Sequence, residues 1–321
     1  MVDKGVVKGS KVDEGWPLAM AVIRIVESVI ESYSKTLIEM AIRGTRRELP
    51  NYRHQGNFIS EVDAELHMLY RERASDVFTS FLFASEEGEP SVFPPGCPDF
   101  PEYLVLVDPL DTSELAVRGL FGHTHIMVYS ISKQHPIVAV VGDMFHAIQL
   151  YCAYRDHDGN DEVFLKMRDG LVSRIHSSKE ARLHEALVTN YSMRPTERFM
   201  RLAEEKGFLG ALSRESPDGG RRGRIGVDFG SIGLCHVAAG FTDAMIEVAK
   251  GFPLWDLLPG QYILQAAGGT VASLDGTRLP LNLNIKHLED IRIAMQRRQK
   301  FVAAGNEPLL ALILDSLLHK K

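Results

Sequence analysis

Apolar residues recur along the chain at two spacings, and these spacings predict where helices and strands lie. From Trp16 to about Gly44 they recur every three or four residues, which predicts a long amphipathic helix. A second helical pattern runs from Ser60 to Ala74. Ser60 followed by Asp63 is typical of a capping box, so we expect this second helix to begin there.

Short apolar runs rich in β-branched and aromatic residues predict strands. The strands expected in the first half are 81–84, 103–107, 125–132, 136–141 and 147–154, with a hairpin at 164–175. The prolines of residues 88–101 predict an irregular connection between two of them. In the second half, strands at 187–189, 244–248, 270–274 and 301–304 are interspersed with helices at 195–206, 231–239, 255–267 and 307–319. This order of elements predicts a mixed α/β (α+β) class.

The same pattern suggests how the chain is divided. We expect a flexible tail at 1–15, an N-terminal α+β part at 16–185 and a C-terminal α/β part at 186–321. No apolar run approaches the roughly 20 residues of a membrane span, and the polar first residues lack a signal-peptide pattern. Only three widely spaced cysteines are present. These features favour a cytoplasmic, reduced protein with no membrane partner.

The net charge of the chain limits the chemical classes of partner that it is expected to bind. The chain of 321 residues has 36 Lys and Arg against 42 Asp and Glu, a net charge of −6. That balance disfavours a nucleic acid as the main partner. An anionic ligand would therefore need a local source of positive charge, such as a metal ion or a helix N-terminus.

The segment that follows the predicted strand 103–107 carries the most informative chemistry. Asp108 and Asp111 flank Pro109 at the strand end, and Pro109 favours an extended conformation at Asp108. Thr112 and Ser113 then offer hydroxyl and backbone N–H groups where a helix begins. Such an arrangement brings divalent cations and a phosphate group together.

Further carboxylates stand at the ends of other predicted elements, namely Glu86, Asp256 and Asp63. Oxygen ligands of this kind suit Mg²⁺ rather than zinc. Two such ions about 3.5–4 Å apart could hold the attacking and leaving oxygens of a phosphoryl displacement. The alternatives are that each carboxylate is an ordinary cap or turn residue, or that residues 108–111 form a structural Ca²⁺ loop.

Three motifs in the chain resemble those of the inositol monophosphatase family. They are Glu86-Glu87 after a short strand, Asp108-Pro109-Leu110-Asp111-Thr112-Ser113, and Trp255-Asp256 with Ala267-Gly268-Gly269 behind it. This Mg²⁺-dependent, lithium-sensitive superfamily also includes fructose-1,6-bisphosphatases and bisphosphate nucleotidases. The resemblance implies a layered αβαβα sandwich of the sugar phosphatase type, a homodimer, two or three Mg²⁺ ions and inhibition by Li⁺.

The resemblance also implies a role for each matching residue. The implied metal ligands are Glu86, Asp108, Asp111, Asp256 and the carbonyl group of Leu110. The implied catalytic residues are Glu86, Ser113 and Asp111, with Ser113 and Glu86 orienting the attacking water. The N–H groups of Thr112 and Ser113 would hold the phosphate, Asp63 would lie behind the metal ligands, and Glu247 would contact substrate hydroxyls.

Several positions depart from the family pattern. Thr112 stands where the family usually has glycine, which matters if the position needs a positive φ angle. Asn57 and Arg53 replace a common Asp and Lys, which weakens a role for a third metal. The segment after Ser113 also differs, so Arg118, His123 and His125 are placed where substrate selection could occur. The alternative for each histidine is an ordinary strand or loop residue.

Together these features predict a Mg²⁺-dependent phosphomonoesterase. Its substrate would be a small sugar-like or polyol phosphate, attacked by a metal-activated water without a covalent phosphoenzyme. One alternative is a phosphatase for a nucleotide, a bisphosphate or a specialised-metabolite phosphate. The other is a family member that binds phosphate without catalysis.

Overall fold

The chain forms two compact units. The computed structural model describes residues 10–50, 58–97 and 100–318. Unit 1 comprises Met1–Ser173 and Asn282–Ala294, and unit 2 comprises Arg174–Leu281 and Met295–Lys321. The boundary expected between residues 185 and 186 thus lies inside unit 2.

Helices and strands, including several runs of consecutive strands, make up the described part of the chain. The first are α1 (Trp16–Arg43), α2 (Glu61–Val77), β1 (Phe81–Ser85), β2 (Gly88–Phe93), β3 (Tyr103–Asp111), α3 (Ser113–Ala116), β4 (His123–Ser130), β5 (His135–Asp143), β6 (Ile148–Arg155), β7 (Asp161–Met167) and β8 (Val172–Arg174). The rest are β9 (Leu187–Asn190), α4 (Met200–Glu204), α5 (Lys206–Leu212), β10 (Arg224–Val227), α6 (Gly230–Ala238), β11 (Ala244–Phe252), α7 (Leu254–Ala266), β12 (Thr270–Ala272), α8 (Leu288–Gln296), β13 (Gln299–Ala304) and α9 (Glu307–Leu318).

Unit 1 is an eight-stranded sheet with α1 and α2 packed on one face. Its strand order is β2-β1-β3-β4-β5-β6-β7-β8, with β1 parallel to β3 and the pairs from β3 to β7 antiparallel. Alternate residues of β3, among them Val105 and Val107, join the apolar residues of the two helices in one core. Helix α1 approaches β5 closely, because a Cβ atom on Gly142 would lie 2.6 Å from Val26. The intervening residues of β3, including Asp108, therefore point to the other face.

Both predicted helices of unit 1 are present. Helix α1 ends where Gly44 takes the left-handed conformation (φ 66°), a common glycine stop signal. The capping box of α2 is confirmed, since the Ser60 amide donates to Asp63 Oδ2 at 2.7 Å. The hairpin predicted at 164–175 is also present, formed by β7 and β8 with Gly170 at φ 93°.

Two expectations for unit 1 were wrong. Residues 88–93 are strand β2, antiparallel to β1, rather than part of an irregular connection. The strand accommodates Pro90 because it lies at the edge of the sheet, where a missing N–H is tolerated. Residues 10–15 are not a loose tail, because Lys11 N donates to Val77 O at 2.8 Å and Tyr103 Oη donates to Glu14 Oε1 at 2.8 Å. Residues 1–9 of that expected tail lie outside the described residues.

Unit 2 is a five-stranded mixed sheet with helices packed on it. Its order is β10-β9-β11-β13-β12, with β9 parallel to both neighbours and β13 antiparallel to both of its own. Phe208 of α5, Leu310 of α9 and Ile246 of β11 share one buried cluster. The predicted α+β class with layered helices and sheets is confirmed, because each unit packs helices on a sheet.

The helix expected at 195–206 is divided in two, and a further helix begins at its end. A π-helical turn covers Pro195–Phe199, α4 follows, and Glu205 leaves helical geometry before α5 begins. Helix α5 packs closely on α9, since a Cβ atom on Gly207 would lie 2.7 Å from the Ser316 carbonyl oxygen. Helices α5 and α8 and strand β10 were not predicted. None of the helices in the described residues is both long and apolar enough to cross a bilayer.

A buried ion pair stabilises the irregular end of β11. The register with β13 shifts between Glu247 and Phe252, so this part of β11 leaves the regular ladder. Glu247 Oε1 accepts hydrogen bonds from the amides of Ala249 (2.9 Å) and Gly251 (3.1 Å), while its Oε2 binds Arg198. The Glu247 side chain is 0% exposed and that of Arg198 5% exposed. The carboxylate therefore joins this bend of β11 to the π-helical turn that carries Arg198.

We expect Arg198→Ala to lower the free energy of unfolding by about 3–5 kcal/mol, because it leaves the buried Glu247 charge without its cation. Chemical denaturation of the full chain would measure the change. The matched control is Arg201→Ala, three positions along, where the side chain is 62% exposed and pairs with an exposed Glu204. That control should change stability by no more than about 0.5 kcal/mol. Equal losses in the two variants would contradict the role given to the buried pair.

Candidate metal centre

Strand β3 ends in a bulge that rearranges its last residues. Asp108 lies opposite His125 of β4 and Asp111 lies opposite His123, so three steps along β3 match two along β4. Pro109, which has no N–H to donate, falls in the extra stretch. The strand therefore continues to Asp111, beyond the end expected at Val107.

The bulge brings two carboxylates and an imidazole together on unit 1. Ligand atoms of Asp108, Asp111 and His125 all lie within 4.8 Å of one another. His125 Nε2 is 3.6 Å from Asp111 Oδ2. Asp108 is 1% exposed and His125 is 0% exposed. Two carboxylates held this close in a buried place repel each other unless a positive group lies between them, so the donor set fits a divalent cation.

Glu86 lies at the same edge of the sheet. The parallel pairing of β1 with β3 ends at Ser85 opposite Val107, so Glu86 follows beside Asp108. Its amide donates to the Val107 carbonyl at 3.3 Å. Among the described residues of unit 1, however, Glu86 is not a member of the group whose ligand atoms converge. Its role as a metal ligand therefore stays a prediction.

Ser113 is held directly beside this edge by two contacts. Its Oγ lies 2.5 Å from Asp63 Oδ1 and 2.7 Å from the carbonyl oxygen of Leu110. Burial raises the pKa of the Asp63 carboxyl, while hydrogen bonds from Ser113 and Ser60 act in the opposite direction. Asp63 thus orients the hydroxyl of Ser113 from the start of α2, next to a carbonyl group predicted to bind metal.

Thr112 stands where the family usually has glycine, and it adopts the left-handed conformation with a positive φ angle. Its angles are φ 62° and ψ 36°, and it caps α3, a single turn of four residues. The amides of Leu115 and Ala116 donate to its carbonyl oxygen at 2.8 and 3.0 Å. This conformation is costly for a β-branched residue, so Thr112 carries local strain.

Besides His125, three residues are proposed for substrate contact, and they have different surroundings. Arg118 is exposed and donates to Glu114 Oε1 and to the Glu114 carbonyl, both at 3.2 Å. His123 is 2% exposed, with its Nε2 3.7 Å from Asp143 Oδ2 on β5. Glu247 accepts the three hydrogen bonds described above. Their substrate-binding roles stay predictions.

Asp256 belongs to unit 2 and opens α7. It lies in the first turn of that helix, where a negative side chain is favoured by the helix dipole. Ser231 Oγ on α6 donates to the Asp256 carbonyl oxygen at 2.8 Å. Helices α6 and α7 pack closely here, because a Cβ atom on Gly260 would lie 2.6 Å from the Ser231 carbonyl oxygen. This packing fixes the backbone from which Asp256 projects.

The sequence did not predict that His125 lies beside the carboxylates of Asp108 and Asp111. The sequence places it only where substrate selection could occur, whereas its imidazole lies among the predicted metal ligands. The signal available in the sequence was the His123-Thr124-His125 spacing in the strand that follows the Asp108–Asp111 motif. Arg53 and Asn57, which bear on a third metal, lie outside the described residues.

Known proteins resemble this chain over most of its length. Residues 12–307 match the model of the inositol monophosphatase family. A Nus factor SuhB from Xylella fastidiosa is 25% identical over 256 residues, which cover 78% of this chain and 83% of that protein. A fructose-1,6-bisphosphatase/inositol-1-monophosphatase from Methanothermobacter thermautotrophicus is 22% identical over 236 residues, or 68% of this chain and 69% of that protein.

A solved structure shows the same fold. The extragenic suppressor protein SuhB from Bartonella henselae aligns with a TM-score of 0.64 and 18% sequence identity. The alignment covers 94% of this chain and 100% of that one. At this level of identity the likeness supports the fold alone.

We expect Thr112→Gly to raise the free energy of unfolding by about 1 kcal/mol, because glycine adopts a positive φ angle without steric cost. Thermal or urea denaturation would measure it. Thr79→Gly is the matched control, since Thr79 is exposed and is not among the residues with a positive φ angle. There glycine should destabilise, because it only adds freedom to the unfolded chain. A loss of stability at both positions would contradict the strain assigned to Thr112.

Because the pKa of the Asp63 carboxyl is raised in the folded protein, we expect its contribution to stability to depend on pH. Above the usual pKa of an Asp side chain, about 3.9, the folded protein still holds the Asp63 proton while the unfolded chain has lost it. The contribution of this group to stability therefore falls as the pH rises through the folded-state pKa. Asp63→Asn removes this pH dependence. The free energy of unfolding of the variant relative to the wild type should therefore increase as the pH rises from the unfolded-state pKa of Asp63 through its folded-state pKa. Urea denaturation in the presence of a chelator would measure the difference, and a decrease would contradict the assignment.

Proposed function

This chain belongs to the inositol monophosphatase family, and from that membership we propose that it is a phosphomonoesterase that depends on divalent cations. The observation that carries the proposal is the convergence of Asp108, Asp111 and His125 at the bulged end of β3. Buried carboxylates held together in this way bind cations, and a bound cation supplies positive charge for a phosphate group.

We assign the cation ligands from both the geometry and the family pattern. Asp108 and Asp111 would hold divalent cations, two or three Mg²⁺ ions by the family pattern, which also adds Glu86, the Leu110 carbonyl and Asp256 as ligands. Bound cations would neutralise the phosphate oxygens and make an attacking water more acidic. Competition for the same oxygen ligands would make Li⁺ an inhibitor, as the family pattern implies.

The remaining residues of the site would position the reactants. The Ser113 hydroxyl, held by Asp63 at 2.5 Å, would orient the attacking water together with Glu86. The N–H groups of Thr112 and Ser113 would donate to the phosphate oxygens, since the first amides of a helix have no partner within it. No side chain is required as a nucleophile, so no covalent phosphoenzyme is expected.

The proposed substrate is a small sugar-like or polyol phosphate. Of the three candidate contacts, Arg118 is exposed and is held by its neighbour Glu114, so it reaches an anionic substrate most readily. Glu247 would first have to leave Arg198 and two backbone amides. The family pattern also supports a cytoplasmic homodimer.

A second candidate is a binding role without hydrolysis. One observation favours it, namely that a relative at 25% identity is named a Nus factor rather than a phosphatase. The left-handed Thr112, placed where the family usually has glycine, is the position at which phosphate binding would differ.

We expect Asp111→Asn to reduce phosphate release by more than about 100-fold, because even residues that only support metal ligands lower activity by 10–100-fold when changed. The assay is phosphate release from a panel of sugar, inositol and nucleoside phosphates and 3′,5′-bisphosphates at saturating Mg²⁺. Asp169→Asn, in the exposed turn between β7 and β8, is the matched control and should keep full activity.

The outcomes of this phosphate-release assay distinguish the phosphatase from the non-catalytic binding protein. Hydrolysis of one ester identifies the substrate class. Absence of hydrolysis across the panel, with Mg²⁺ still bound, would support the non-catalytic role. Full activity of the Asp111→Asn protein would contradict the proposed centre.

A further inference from the structure

We propose that His125 is a direct nitrogen ligand of one divalent cation in this centre, and that it gives this one position a preference for Mn²⁺ over Mg²⁺. The inference rests on the proposed cation centre, but it concerns a residue type that the carboxylate pattern of the family does not include. It thus distinguishes one ion position from the others.

The pairing of β3 with β4 places the imidazole beside the carboxylates. Asp108 and His125 are directly opposite in an antiparallel pair. Side chains at such positions leave the same face of the sheet with Cβ atoms about 4.5–5.5 Å apart. The imidazole is therefore held next to Asp108 by main-chain hydrogen bonding between the strands, independently of any loop.

The bulge then adds Asp111 to the same face. In a regular strand, residues 108 and 111 would point to opposite faces, because side chains alternate with a period of two. The extra residue of the bulge restores the alignment of Asp111 with β4, as its pairing with His123 shows. Both carboxylates and the imidazole consequently share one face.

The separations fit ligands around an ion. Two atoms each about 2.1 Å from one cation lie about 3.0–3.4 Å apart at octahedral or tetrahedral angles. His125 Nε2 is 3.6 Å from Asp111 Oδ2, and the ligand atoms of all three residues lie within 4.8 Å of one another. A shift of a few tenths of an ångström brings this pair into a coordination shell.

Donor chemistry gives the expected selectivity. Mg²⁺ strongly prefers oxygen ligands, whereas imidazole is a good ligand for first-row transition metals. A position bound by Asp108, Asp111 and His125 therefore favours Mn²⁺, while positions bound by oxygen atoms alone keep Mg²⁺. The competing explanation is that a protonated His125 pairs with Asp111 and never binds metal.

Pulsed electron paramagnetic resonance of the Mn²⁺-loaded wild-type protein tests the ligand directly. We expect modulation from a directly bound ¹⁴N nucleus, replaced by the ¹⁵N pattern when histidine is ¹⁵N-labelled. His125→Gln should remove the histidine coupling, and the control His135→Gln, at the start of β5, should retain it. Absence of nitrogen coupling in the wild-type protein would overturn the proposal, and this result does not require a folded variant.

Calorimetric titration with each metal tests the selectivity. We expect His125→Gln to weaken Mn²⁺ binding at least 10-fold, the size expected for a changed ligand environment, and to change Mg²⁺ binding less than about 3-fold. Equal losses for both metals would indicate a merely structural histidine and overturn the proposal. The His135→Gln protein should bind both metals as the wild type does.

The two proposals fail in different ways. Nitrogen coupling without hydrolysis of any ester would leave the ligand assignment standing and remove the proposed activity. Hydrolysis with Mg²⁺ but no nitrogen coupling to Mn²⁺ would support the proposed activity and remove the ligand assignment.

Discussion

The extra residue in the pairing of β3 with β4 is the constraint on which the centre depends. Without it, the chain would carry Asp108 and Asp111 on opposite faces of the sheet. With it, both carboxylates share a face with His125, and the chain is turned toward α3 so that Ser113 meets Asp63. A local irregularity of one residue thus brings together side chains from one strand, its neighbour and the start of a helix. Pro109, which cannot take part in a regular ladder, favours the irregularity.

Much of this arrangement follows from the sequence because it depends on local signals. The period of apolar residues located α1 and α2, and the Ser60–Asp63 spacing located the start of α2. The carboxylates became candidates because they stand at the ends of predicted strands or at the starts of predicted helices. The family resemblance added what spacing alone does not show, which is the prediction that Asp256 has the same role as residues of a motif almost 150 residues earlier.

The features that escaped prediction depend on distant parts of the chain. His125 could be placed only after its register with Asp108 was known, and the approach of Asp111 to the same face depends on the bulge that follows. Strand β2 was missed because Pro90 argues against a strand unless the strand lies at an edge. The chain leaves helical geometry at Glu205, just before α5, and α5 packs against α9 through a contact between residues far apart in sequence. In each case tertiary packing overrides the local preference.

Pro90 has a consequence for how the molecule behaves in solution. The outer strand of a sheet offers a row of donors and acceptors to which a strand from another molecule can add, which is the first step of many forms of aggregation. Strand β2 has only six residues, and Pro90 removes one donor from its row. Its pairing with β1 is also irregular, between Phe83 and Ser85. A strand from another molecule would find only a short and interrupted edge to pair with. This edge of the sheet is therefore protected against aggregation during folding and at high protein concentration.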